Sequence, residues 1–117
     1  MSVRIAPSLL AANFIHLGDE VSHMEAAAVE LLHVDVMDGR FVPNITFGLP
    51  IVKALKAATN IPLDVHLMIV EPERYIADFA AAGASVISVH VEACPHLDAT
   101  IRRIHDHGLR AGVAINP

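Results

Sequence analysis

The chain has 117 residues, the size of one small domain. Apolar residues make up 54% of it and aromatic residues 4%, so its core must be built from Val, Ile, Leu and Ala, as in buried parallel sheets covered by helices. A net charge of −5 argues against the basic surface of a nucleic-acid binder, yet it leaves room for an anionic substrate at a locally positive or metal-bearing site.

Five short runs rich in Val, Ile or Leu have the look of buried strands: Val3–Pro7, Leu31–Met37, Leu63–Ile69, Ser85–Val91 and Arg110–Ile115. Helical patterns separate them. Leu17, Val21, Met24 and Ala28 form a stripe at helical spacing. Pro50 is placed to open a second helix, with Ile51, Val52 and Leu55 facing inward. Pro72 opens a third, which buries Ile76, Phe79 and Ala80 and stops at Gly83. A fourth runs from Leu97 through Ile101 and Ile104 to Gly108. Both glycines suit the left-handed residue that ends a helix.

The order is β-α-β-α-β-α-β-α-β, and strict alternation predicts a parallel sheet with crossover helices. Ser8, Asp35, His66, His90 and Ala114 recur at a near-constant interval, one strand and one helix per unit. Two architectures accommodate this: an open doubly wound sheet, or part of a (β/α)8 barrel, whose closure takes about 250 residues. Pattern alone slightly favours the open sheet. The chemistry on the strands tips the choice to the barrel.

Side chains alternate across a strand. His33, Asp35 and Met37 therefore share one face of the second run, opposite Leu32, Val34 and Val36. Asp64, His66 and Met68 share one face of the third, opposite Val65 and Leu67. If these strands are adjacent and parallel, about 4.8 Å apart, then His33, Asp35 and His66 can converge near their C-terminal ends. Two imidazoles and a carboxylate suit one divalent metal ion such as zinc, iron, manganese or cobalt. The alternative is a buried set hydrogen-bonded only to itself. Two ligands in phase on one strand and a third on the next favour the metal, because an unpaired Asp in such an interior is very unfavourable.

Other residues near these strand ends leave more open. Ser8 could bond a substrate hydroxyl or cap a turn. Met37 and Met68 are core filler or cover for a reacting centre. The loop Asp38–Asn44 is a surface connection, or, given Phe41 and Val42, a lid or interface. His90 and Glu92 share a face and are read as structural rather than as outer partners of the site. His16, His23, His96, His105 and His107 belong in solvent. Cys94 is read as a structural or exposed thiol, not a nucleophile. A single cysteine fits a reducing compartment, the N-terminus carries no apolar signal core, and no apolar run approaches the ~18 residues of a membrane span. A soluble cytoplasmic protein without nucleic-acid or membrane partners is the expectation.

The stretches Ile5-Ala6-Pro7-Ser8-Leu9-Leu10, His33-Val34-Asp35-Val36-Met37-Asp38-Gly39 with Phe41-Val42-Pro43-Asn44, Leu63-Asp64-Val65-His66-Leu67-Met68 and Ala111-Gly112-Val113-Ala114-Ile115-Asn116-Pro117 resemble the ribulose-phosphate 3-epimerase family along the whole chain. The resemblance implies a TIM barrel represented by its first five strands and four helices, with residues 1–117 as one domain, the N-terminal portion of the barrel. It implies C3 epimerisation of D-ribulose 5-phosphate and D-xylulose 5-phosphate through an enediolate, and a homo-oligomer. It implies His33, Asp35 and His66 as metal ligands and Asp35 as one of two acid/base aspartates. It also implies Ser8, His66, Met37 and Met68 as substrate contacts.

There are departures. Ala27-Ala28-Val29-Glu30 stands where the family usually has an Ala-Gly-Ala-Asp turn. The family's fourth ligand, its second acid/base aspartate, and its phosphate-binding loops match nothing in the chain, so catalysis by residues 1–117 alone is not expected. Two alternatives remain: a related sugar-phosphate epimerase acting on allulose 6-phosphate, or a non-catalytic half-barrel that binds metal or assembles through its open edges.

Overall fold

Alternation of apolar and polar residues at period two gives the central strands one face for a core and one for chemistry. The computed structural model, which describes residues 2–117, places them as β1 (Leu32–Met37), β2 (Leu63–Met68), β3 (Val86–His90) and β4 (Arg110–Ala114), with helices α1 (Leu17–Ala26), α2 (Leu49–Ala58), α3 (Ile76–Ala82) and α4 (Leu97–Asp106). The strands form one parallel sheet in the order β1-β2-β3-β4. Chain order and spatial order coincide, without the reversal that defines a doubly wound sheet. In β1 and β2 one face is fully buried and the other half-exposed. The core holds Leu32, Val34 and Val36 with Leu63, Val65 and Leu67, packed with Val21, Val52, Leu55, Ile76, Phe79 and Ile104 from the helices. Helices thus cover one face of the sheet and leave the polar face open, as in a barrel segment. Each fully buried Leu or Val contributes on the order of 1.5–3 kcal/mol.

One expected strand does not form. Val3–Pro7 meets the sheet only through an isolated parallel bridge between Ser8 and His33, with the His33 N–H donating to the Pro7 carbonyl at 2.9 Å. The segment has a neighbour on one side only. Pro7 has no N–H for a ladder, and Val3 and Ile5 are mostly exposed. The Ile5 N–H turns instead to the Glu30 carboxylate at 2.9 Å. Among the described residues the sheet therefore has four strands, not five. Among the described residues no helix is long and apolar enough to cross a membrane.

Pro50 lies in the first turn of α2, as expected. Pro72 opens a single turn of 3-10 helix (Pro72–Arg74), and α3 begins only at Ile76, where Ile76 and Phe79 are buried and Ala80 partly so. Three helices end alike. After α3 the Ala84 N–H donates to the Phe79 carbonyl, and after α4 the Leu109 N–H donates to the Ile104 carbonyl. The left-handed residues at these ends are Gly83 and Gly108. After α1 the Val29 N–H donates to the Met24 carbonyl in the same way, but the left-handed position is held by Ala28 at φ 57°. Ala28 is thus not the last member of the α1 stripe: it lies past the helix end and is exposed. A Cβ in this conformation costs about 1–2 kcal/mol, offset in part by the extra freedom of glycine in the unfolded chain. Ala28→Gly should raise stability by about 1 kcal/mol, read as a higher urea midpoint at unchanged slope. A lower midpoint would show that the turn carries no strain.

Candidate metal centre

The register of the first two strands assembles the site. Asp35 sits beside His66, His33 beside Asp64, and Met37 beside Met68, while Ser8 bridges to His33 from the other side. All of these lie on the open face of the sheet. Asp35 Oδ1 is 2.9 Å from His33 Nε2 and 3.0 Å from His66 Nδ1. One ligand atom from each of His33, Asp35 and His66 lies within 4.8 Å of the other two. The other Asp35 oxygen, Oδ2, faces the Ser8 hydroxyl, which donates a long bond of 3.5 Å. Of the two roles considered for Ser8, the cap is present: its Oγ also accepts the Leu10 N–H and caps a short 3-10 turn.

A proton count shows what this cluster lacks. His33 has a carboxylate at each ring nitrogen, Asp64 at 3.0 Å from Nδ1 and Asp35 at Nε2. A neutral imidazole carries one N–H and can satisfy only one of them. The second nitrogen needs either another proton or a cation. The Asp64 hydrogen bond, opposed by burial and assisted by the nearby Asp35 charge, raises the His33 pKa above its ordinary 6.5. His66 is shifted the other way. Burial lowers its pKa, against the pull of Asp35, and keeps it in the neutral form that can ligate. Asp64 stands where a carboxylate would orient His33 as a ligand. The residues present therefore fit a divalent cation among His33 Nε2, Asp35 Oδ1 and His66 Nδ1.

Two participants were not assigned from the sequence. Alternation within the strand puts Asp64 on the face of His66 but assigns it no role. Its register opposite His33 is what makes it a partner, and the Asp-x-His phase on β2 was the available signal. His90, expected to be structural, has its Nε2 2.7 Å from His66 Nε2 and its Nδ1 3.3 Å from Glu92 Oε1. Phe41, from the loop after β1, packs on the His90 ring with centroids 4.9 Å apart. That loop is pinned by Asp38, which accepts the N–H groups of Arg40 and Phe41 at 2.9 Å and of Val70 at 2.8 Å. Burial raises the Asp38 pKa, but these backbone donors outweigh it and leave the carboxyl below its ordinary value. Thr46 closes the loop, donating to the Asp35 carbonyl at 2.6 Å and accepting the Met37 N–H at 3.0 Å.

The remaining residues separate cleanly. Met37 and Met68 stand side by side at the strand ends, half-exposed on the site's face. Cys94 is buried, and burial pushes its thiol pKa up, which makes it inert. His16, His23, His96, His105 and His107 are exposed. A cleft of about 520 Å³ lined by Asp38, Arg40, Phe47 and Arg74 includes Met37 but none of the three candidate ligands. The site is an open sheet face rather than an enclosed pocket.

Comparison with known proteins gives a consistent result. The model of the ribulose-phosphate 3 epimerase family matches residues 4–117. The ribulose-phosphate 3-epimerase of Bacillus subtilis is 55% identical over 115 residues, which cover 98% of this chain and 53% of that protein. That of Synechocystis is 54% identical over 118 residues, 99% of this chain and 51% of the relative. The chloroplastic ribulose-5-phosphate-3-epimerase of Arabidopsis thaliana is 53% identical over 115 residues, 97% and 41%. The chain spans about half the length of the curated relatives it matches.

Proposed function

The chain belongs to the ribulose-phosphate 3-epimerase family, and from that premise we propose that it carries the metal-binding half of a site that epimerises D-ribulose 5-phosphate and D-xylulose 5-phosphate at C3. The observation that carries this reading is the meeting of His33 Nε2 and His66 Nδ1 on one oxygen of Asp35. One zinc, iron, manganese or cobalt ion held by His33, Asp35 and His66 would supply the positive charge that stabilises an enediolate.

Asp35 divides its labour between its two oxygens. Oδ1 faces the imidazoles, while Oδ2, with only the long Ser8 contact, is the oxygen free to take the C3 proton. Ser8 is placed to orient that oxygen and a substrate hydroxyl. Met37 and Met68 give the reacting carbon an apolar, water-excluding wall. Inversion needs a second proton carrier on the opposite face. The nearest other carboxylates described on this face, Asp64 and Glu92, are engaged by His33 and His90, so in this reading the second carrier and the phosphate contacts come from elsewhere in the barrel.

Association is a second reading, carried by the sheet edges. Val3 and Ile5 are exposed beside β1, and Val113 and Ile115 at or beyond β4. Such edges invite further strands, and the mass of the chain in solution distinguishes one copy from a homo-oligomer.

Exchange of the C3 hydrogen of ribulose 5-phosphate with solvent, measured on residues 1–117 within a whole barrel of this family that supplies the second carrier and the phosphate contacts, tests the main proposal. Exchange should vanish on chelation and return with added Co²⁺. Exchange that survives chelation would overturn the metal's role. The pH dependence has a definite sign. The proton on His33 must leave for the cation to bind, and its pKa is raised. Co²⁺ affinity should therefore rise by up to about tenfold per pH unit until pH passes that raised value, then level off. In the metal-free protein the stabilisation from charged His33 runs oppositely. It is complete below the unfolded value of 6.5 and is lost as pH rises through the folded one.

A further inference from the structure

Behind His66 lies a line of side chains that the proposed reaction does not use. The His66 and His90 rings lie 4.9 Å apart and tilted by only 22°, with their Nε2 atoms 2.7 Å apart. His90 is 6% exposed. Beyond it, Glu92 takes the His90 Nδ1 contact on Oε1 at 3.3 Å and the Asn116 N–H on Oε2 at 3.1 Å. The line runs Asp35–His66–His90–Glu92, with an anion at each end.

Its three contacts need three protons, one each, and two neutral imidazoles supply two. The mismatch disappears if His66 Nδ1 is turned over to a cation. The His66 Nε2–H then donates to His90 Nε2, the His90 Nδ1–H donates to Glu92, and both rings are neutral with every contact satisfied. The direction is imposed from the far end, because an ionised Glu92 can only accept. We infer that His90 and Glu92 are positioning residues: they hold His66 in the tautomer whose bare Nδ1 faces Asp35 and His33, and so set the cation affinity of the cluster. This inference rests on the metal reading of the site and adds to it an outer relay that crosses from β2 to β3.

Outer partners of ligating histidines are worth about 10–100-fold in metal affinity. With Co²⁺ alone as the probe, titrated into the purified full chain, Glu92→Ala and His90→Phe should each weaken binding by about that factor. His90→Phe keeps a ring for Phe41 to pack on but offers no acceptor to His66. His90→Gln restores an acceptor and should recover most of the affinity. If His90→Phe fails to fold, Glu92→Ala still decides, since that side chain is 36% exposed and its loss leaves the core intact.

Nitrogen-15 NMR of the zinc-loaded protein gives a readout that a merely structural role would not move. His66 should carry its proton on Nε2 and His90 on Nδ1. Unchanged Co²⁺ affinity in both Glu92→Ala and His90→Phe, or a His90 protonated on Nε2, overturns the relay while leaving the site. Failure of the unmodified chain to bind Co²⁺, or binding that survives His33→Ala, overturns the site reading and the relay with it.

Discussion

Within a whole barrel of this family, Asp35→Asn should lower the rate of C3 exchange by about 10⁴-fold, with little change in fold. Asparagine has the shape of aspartate and can still present an oxygen where Oδ1 meets His33 Nε2 at 2.9 Å and His66 Nδ1 at 3.0 Å. It cannot do the two things that need the carboxylate. It has no charge to hold a cation between two imidazoles, and its nitrogen, placed toward Ser8 where Oδ2 stood, cannot accept a proton. Co²⁺ titration and the exchange rate measured on the same preparation separate the two losses. Saturating metal should rescue binding but not exchange. If the Asn variant exchanged at the normal rate with metal bound, Asp35 would not be a proton carrier.

Leu67→Ala should cost about 2–5 kcal/mol, a large share of the 5–15 kcal/mol that holds a domain folded. Leu67 is wholly buried at the middle of the sheet, in register with Val36 on β1 and Val89 on β3. Truncation removes its transfer energy and leaves a cavity that two flanking strands cannot collapse to fill. Leu67→Met, which keeps the volume, should cost less than about 1.5 kcal/mol. Urea unfolding at unchanged slope measures both. Leu67 faces away from its neighbours His66 and Met68, so the molecules that remain folded should bind Co²⁺ with normal affinity. A loss below about 1 kcal/mol would mean that the core is loose at this point.

The family shapes the expectation for each variant, but the face on which each side chain lies follows from the chain's own local geometry. His33, Asp35 and Met37 share a face because a strand alternates at every residue, and the same holds for Asp64, His66 and Met68. The buried partners Val34, Val36, Val65 and Leu67 are legible for the same reason. Pro50 at the start of α2, and Gly83 and Gly108 past the ends of α3 and α4, are equally local, since each is a statement about one residue's φ.

What lay beyond the sequence is whatever depends on a neighbour distant along the chain. That Asp35 stands beside His66, and Asp64 beside His33, is a matter of register between strands that α2 connects. His90 joins the site only because β3 lies next to β2 and sends its last residue back toward His66, which no spacing within β3 announces. Val3–Pro7 has the composition of a strand but not its second neighbour. Ala28 belongs to the α1 stripe by period, yet the chain must turn there to reach β1. Local periodicity reports which way a side chain points. Which strands become neighbours, and at what register, is decided by burial summed over the whole sheet, and that balance turned three candidate ligands into a cluster of seven interacting side chains.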